Sequence, residues 1–177
     1  RPCLFSASRP RRHASAVSSI STLGRAYMQS PTFTLCQATN ADVAALAELR
    51  VEAMRPSLEA IERFNPVRAR ARFLEGFNPA YTRKVQVGEG TVGFVVVRPV
   101  ENHLLLDHLY IVPAKQCSGL GSAVLRLVIR EAQAQEKVLR LGALKDSKSN
   151  EFYLRHGFTL ERIEEWDNYY ALAPSAA

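Results

Sequence analysis

Residues 104–134 read LLLDHLYIVPAKQCSGLGSAVLRLVIREAQA, and the fold turns on how that stretch divides. An apolar strand pattern ends at Pro113, a short polar loop follows, and helical spacing begins near Leu120. Inside the loop, Gln116-Cys117-Ser118-Gly119-Leu120-Gly121 sets two glycines where the chain must turn tightly into the helix. Successive backbone N–H groups there can point outward at the positive end of the helix dipole, which suits an anion such as phosphate. No Gly-Lys-Ser/Thr follows Gly121, so this is not a Walker loop, and the GxGxxG of a dinucleotide fold is absent. Taken alone, the spacing equally describes an ordinary tight connection from strand to helix.

The flanks carry more. The Q-x-x-G-x-G spacing resembles the coenzyme A pyrophosphate loop of the GNAT family of N-acetyltransferases. LDHLYIVP (residues 106–113) resembles that family's fourth strand, and SNEFYLRHGF (residues 149–158) resembles the segment with its catalytic tyrosine. The resemblance implies an α/β fold, a mixed sheet of about seven strands with helices on both faces. It also implies acetyl-CoA as co-substrate and a primary amine, on a small molecule or a peptide, attacking directly in a ternary complex. Coenzyme contacts would fall at Leu109, Tyr110 and Ile111, where the strands are expected to splay. They would continue at Gln116, Cys117, Ser118, Gly119, Leu120, Gly121 and Ser122, with Asn150 as a coenzyme or main-chain contact.

Tyr153 matches the tyrosine that faces the coenzyme sulfur as general acid, and an ordinary phenol, with a pKa of about 10, is protonated at neutral pH. The alternative is a buried aromatic, as Phe152 is expected to be. For the base, Asp107 and His108 are neighbours on one strand, so alternation lets only one face the acceptor cleft. Asp107 is preferred by resemblance, although His108 has the more convenient ordinary pKa. Glu52 on the first helix, with Tyr170, Tyr169 and Trp166 near the end, could shape the acceptor pocket, or the aromatics could be core. The chain departs from the family in having Gln-Cys-Ser-Gly where Arg-Gly-basic-Gly is common, with only Lys115 nearby. It also has Asp146 where Asn is frequent. These departures keep a second class open, a catalytically inert acyl-CoA-binding or regulatory module.

Composition narrows the field. With 177 residues and 47% apolar content the chain is long enough for one well-buried domain, expected over residues 28–177. The net charge of +6 suggests nucleic acid until it is located. Arg1, Arg9, Arg11, Arg12 and Arg25 precede Met28 with no acidic residue among them, so the rest is nearly neutral and no nucleic-acid partner is expected. Residues 1–27 resemble a transit peptide in their Arg and Ser content. Otherwise they are translated upstream or non-native sequence, which is the preferred reading, and no packed core is expected there. No apolar run suits a membrane. Cys3, Cys36 and Cys117 have no metal-binding or disulfide spacing, so no metal and a cytoplasmic location are expected, with oligomeric state open, a homodimer included.

The remaining elements follow from patterning. FTLCQA (33–38) reads as the first strand, and Thr39 with Asp42 as a capping box opening a helix to about Met54, broken by Pro56. SLEAIERF (57–64) and VRARARFLEGF (67–77) read as two further helices. TRKVQV and TVGFVVVRP flank Gly88-Glu89-Gly90 as a hairpin, the second apolar on both faces and therefore central. VLRLGAL (138–144) reads as the fifth strand and residues 150–156 as a helix stopped by Gly157. GFTLERIEEW and DNYYAL complete the sheet.

Overall fold

The computed structural model describes residues 31–59 and 65–174. The extension over residues 1–27 lies outside them, as does the second half of SLEAIERF. Seven strands form one sheet in the order β1-β2-β3-β4-β5-β7-β6. They are β1 (Thr34–Gln37), β2 (Thr82–Val87), β3 (Gly90–Val100), β4 (His103–Ile111), β5 (Val138–Leu144), β6 (Thr159–Ile163) and β7 (Asp167–Leu172). Neighbours pair antiparallel except β4 with β5. The helices are α1 (Val43–Glu59), α2 (Pro66–Gly76), α3 (Leu120–Ala134) and α4 (Ser149–Arg155).

The layers follow from β3. Val95 packs in a core with Leu120, Val124, Leu125 and Val128 of α3 and Tyr153 of α4. Phe94 and Val96 pack in another with Leu46, Ala47 and Leu49 of α1 and Phe73 of α2. A strand apolar on both sides thus becomes the centre of a three-layer arrangement.

Thr39 and Asp42 form the expected box, the Thr39 N–H donating to Asp42 Oδ2 at 2.7 Å. The helix does not break at Pro56, however; α1 runs through it to Glu59. Proline there removes only the hydrogen bond to the Glu52 carbonyl, and three residues from the end of the described helix the remaining turns tolerate that loss.

Two irregularities in β4 set the geometry on both of its faces. The ladder with β3 steps from Val96↔His108 to Val97↔Leu106, leaving Asp107 as the extra residue of a β-bulge. The ladder with β5 ends at Leu106↔Leu141, although β4 continues to Ile111 and β5 to Leu144, so the two parallel strands part there. Beside the parting, β3 presses on β4 at Gly93. A Cβ there would lie 2.4 Å from the Tyr110 carbonyl oxygen and 2.6 Å from Ile111 Cδ1. Gly93→Ala should therefore lower stability by about 1–3 kcal/mol through overpacking. Gly90→Ala, whose nearest neighbour would be 3.8 Å away, should be close to neutral, and thermal unfolding of the two variants checks the contrast.

Candidate active site

The loop between β4 and α3 is held by its own polar groups. Gln116 Nε2 donates to the Ile111 carbonyl at 2.9 Å, and Ser118 Oγ donates to the Lys115 carbonyl at 2.7 Å. Cys117 (φ 58°) and Gly119 (φ 82°) are both left-handed, a conformation that costs Cys117 about 1 kcal/mol or more and that Gly119 takes freely. The first helical bond of α3 runs from the Ala123 N–H to the Gly119 carbonyl at 3.0 Å, and no side chain caps the turn. Among the described residues, the amides of Cys117 through Ser122 make no hydrogen bond. A Cβ at Gly119 would meet nothing within 4 Å, so the space in front of these donors is open. Six free amides at the positive end of a 15-residue helix fit a diphosphate; the loop supplies no cation beyond exposed Lys115.

Tyr153 enters from α4. Its ring is 8% exposed and packs on Phe152, Phe158 and Tyr170, with centroids 5.2, 5.7 and 6.4 Å away. Its hydroxyl has no hydrogen-bond partner among the described residues. Burial pushes its phenol well above the ordinary range, with a smaller push from neighbouring Tyr110, so the proton stays on.

Asn150 and Tyr170 are engaged internally. The Asn150 amide donates to the Leu144 and Ser147 carbonyls at 2.9 and 2.8 Å, and its Oδ1 accepts from Asn168 and from the Tyr170 hydroxyl at 2.9 and 2.8 Å. It ties β5, α4 and β7 together. That is the main-chain alternative for Asn150, its amide hydrogens both engaged, and it leaves Tyr170 3% exposed with its hydroxyl bonded to Asn150. Glu52 is exposed on α1 and lines a depression of about 370 Å³ that includes none of Asp107, His108 and Tyr153. Tyr169 stacks under Arg162 at 4.3 Å and lines a separate depression of about 470 Å³, and Trp166 is 44% exposed between β6 and β7. Leu109 and Ile111 turn their side chains to the α3 core, leaving their backbone at the parting of the strands.

At Asp107 and His108 the expected alternation fails, because the bulge interrupts it. Both side chains lie on the side of α1 and α2, with Asp107 Oδ2 4.0 Å from His108 Nε2. Asp107 also pairs with Arg98 at 2.8 Å. His108 packs among Phe73, Phe94 and Tyr110, with centroids 5.7, 6.2 and 5.6 Å away. Burial lowers its pKa to about 4, with Asp107 opposing and Arg50 and Arg98 reinforcing. His108 is therefore neutral at neutral pH. Its folded pKa is below the unfolded value of about 6.5, so acid favours the unfolded chain, and stability should fall as pH drops from about 6.5 towards 4. Melting temperatures at pH 7 and 4.5 should differ less in His108→Phe, whose ring suits the same aromatic cluster.

Sequence reasoning missed two arginines here. Arg50 lies under Tyr110, its guanidinium carbon 5.8 Å from the ring centroid, and Arg98 bridges Asp107 and the Gly76 carbonyl. The signal for Arg50 was present, since it lies four residues after Leu46, on the apolar stripe of α1. Among the described residues no cluster of side chains could hold a metal ion, and no helix is long and apolar enough to cross a membrane.

Comparison with known proteins bears on this geometry. Residues 81–160 match the family model for the acetyltransferase (GNAT) domain. The fold is similar to that of the PaiA N-acetyltransferase from Thermoplasma acidophilum, solved in complex with coenzyme A, at 14% identity and a TM-score of 0.69, over 80% of this chain and 99% of that one. It is also similar to the ribosomal-protein-S18-alanine N-acetyltransferase from Escherichia coli, at 18% identity and a TM-score of 0.66, over 82% and 96%. An acetyltransferase from Thermus thermophilus aligns at 17% identity and a TM-score of 0.63, over 81% and 98%. No curated protein matches the chain in sequence.

Proposed function

We propose that this chain, whose residues 81–160 match the acetyltransferase (GNAT) domain, moves the acetyl group of acetyl-CoA to a primary amine, by direct attack within a ternary complex. The observation that carries this reading is the run of free amides from Cys117 to Ser122 at the start of α3, beside the place where β4 and β5 part. Those amides would hold the diphosphate, with Gly119 keeping the approach open. The coenzyme supplies an acetyl thioester, whose carbonyl carbon takes the amine and whose sulfur leaves.

The chain's own part is to position groups and manage protons. Tyr153 keeps a proton on a hydroxyl without an internal acceptor, placed to give it to a departing thiolate. On the other side of β4, Asp107 offers a carboxylate to draw and orient the amine, and the neutral His108 ring beside it is an acceptor for its proton. The bulge makes these two roles compatible, because both groups face the same way.

The absence of a basic side chain between Gln116 and Gly121 favours a second reading, an inert acyl-CoA-binding module. Thiol release from acetyl-CoA, measured against a panel of amines and paired with coenzyme calorimetry, separates the two. Release that depends on an amine supports transfer. Coenzyme binding with no release from any amine leaves the module.

A further inference from the structure

Arg50 is the side chain that the proposed reaction leaves unexplained. It is 8% exposed and sits among Leu46, Leu49 and Val51 of α1. Its Nη1 donates to the Ala69 carbonyl of α2, while its Nε is buried with no partner. Among the described residues no carboxylate pairs with it. The nearby Asp107 is committed to Arg98, and Asp167, felt at the Tyr110 hydroxyl from β7, makes no ion pair with Arg50. The face of β4 towards α1 and α2 thus gathers two guanidinium groups, a neutral imidazole and one carboxylate. A buried cation without a counter-ion, and a buried N–H without an acceptor, are both costly unless a ligand offsets them.

Its position says which ligand. Arg50 lies against Tyr110, whose ring is 5.6 Å from that of His108, and His108 in turn adjoins Asp107. The surplus cation therefore lies on the same face of β4 as the carboxylate that would draw the amine. Resting on the acetyl-transfer reading, we propose that the acceptor is an amine that also bears a carboxylate, an amino acid or close relative, and that Arg50 recognises the carboxylate. A peptide N-terminus presents a neutral amide in its place and leaves Arg50 unpaired. An acceptor with further cationic groups is repelled by both guanidiniums.

The test uses the full chain with acetyl-CoA and alanine, leucine, phenylalanine, β-alanine and 4-aminobutyrate, each against its carboxamide. The best acids should show kcat/KM about 10- to 100-fold above their amides, the range for a charged hydrogen bond gained or lost. Arg50→Gln should collapse that ratio through KM, and Arg50→Lys, which keeps the charge, should restore part of it. Calorimetry of N-acetyl-leucine against N-acetyl-leucinamide, with coenzyme A present, reads the same preference without turnover. Carboxamides as good as or better than the acids would overturn the proposal and point to peptide N-termini. If no amine of either series releases thiol, the transfer reading fails, and equal or absent heats for the two N-acetyl compounds then overturn the carboxylate site as well.

Discussion

Tyr153→Phe should leave folding and coenzyme affinity intact while turnover of a verified amine falls by about 10²-fold or more. The substitution keeps the ring and its contacts with Phe152, Phe158 and Tyr170. It removes a hydroxyl that has no hydrogen-bond partner among the described residues, so no internal bond is lost and melting should not fall appreciably. What disappears is a proton held firmly on a phenol that burial has pushed above its ordinary range. For the same reason, Tyr153 should impose no alkaline limb on the pH–rate profile below about pH 10. Single-turnover kinetics and calorimetry decide the matter. Equal losses in binding and turnover would make the ring structural. An unchanged rate would mean that the thiolate leaves unassisted or takes its proton from water.

Gly119→Asp should nearly abolish coenzyme binding, with a loss of about 10²-fold or more by calorimetry. Two effects combine. The new side chain enters space where a Cβ now meets nothing within 4 Å, directly before the free amides. Its charge then opposes a diphosphate within a few ångströms, at about 1–4 kcal/mol per charge pair near a protein surface. Gly119→Asn separates these contributions, because Asn is nearly isosteric and tolerates the left-handed backbone while carrying no charge. It should lose distinctly less affinity than Asp. In the other direction, Ser118→Lys should strengthen binding by adding a cation between Gln116 and Gly121, where there is none. Unchanged affinity in the Asp variant would mean that the diphosphate sits elsewhere.

The fold was legible because its signals are local. Glycine placement marked the hairpin and the α3 entry, two-sided apolar content marked β3 as central, and Thr39 with Asp42 announced α1. Reading Pro56 as a break gave proline its intrinsic weight, whereas one lost bond near a helix end is outweighed by the packing of Leu46, Leu49 and Val51. The free amides of the loop were foreseeable from spacing, but the site on the opposite face of the sheet was only half visible. A bulge has no dependable mark in a single sequence, so Asp107 and His108 looked mutually exclusive. Arg50 went unread, although its place four residues after Leu46 put it on the apolar stripe of α1; what no periodicity shows is that this stripe is buried beside an aromatic strand. Asn150 and Tyr170 were recognisable as special by type, yet their partners are each other and main-chain carbonyls brought together by tertiary structure.

The bulge in β4 also acts as a change of phase. Before it, the even-numbered Leu104 and Leu106 face α3; beyond it, the odd-numbered Leu109 and Ile111 do, and Tyr110 turns towards α1. The same residues in a regular strand without the bulge would keep one parity throughout, sending Tyr110 into the α3 core and Leu109 towards Arg50. The chemistry of this face is thus specified by a count of residues as well as by their identity. Deleting Asp107, by contrast, would remove the extra residue itself, and plain alternation would then keep Leu104, Leu106, Leu109 and Ile111 towards α3 and His108 and Tyr110 towards α1, so the carboxylate would go while both faces stayed in place.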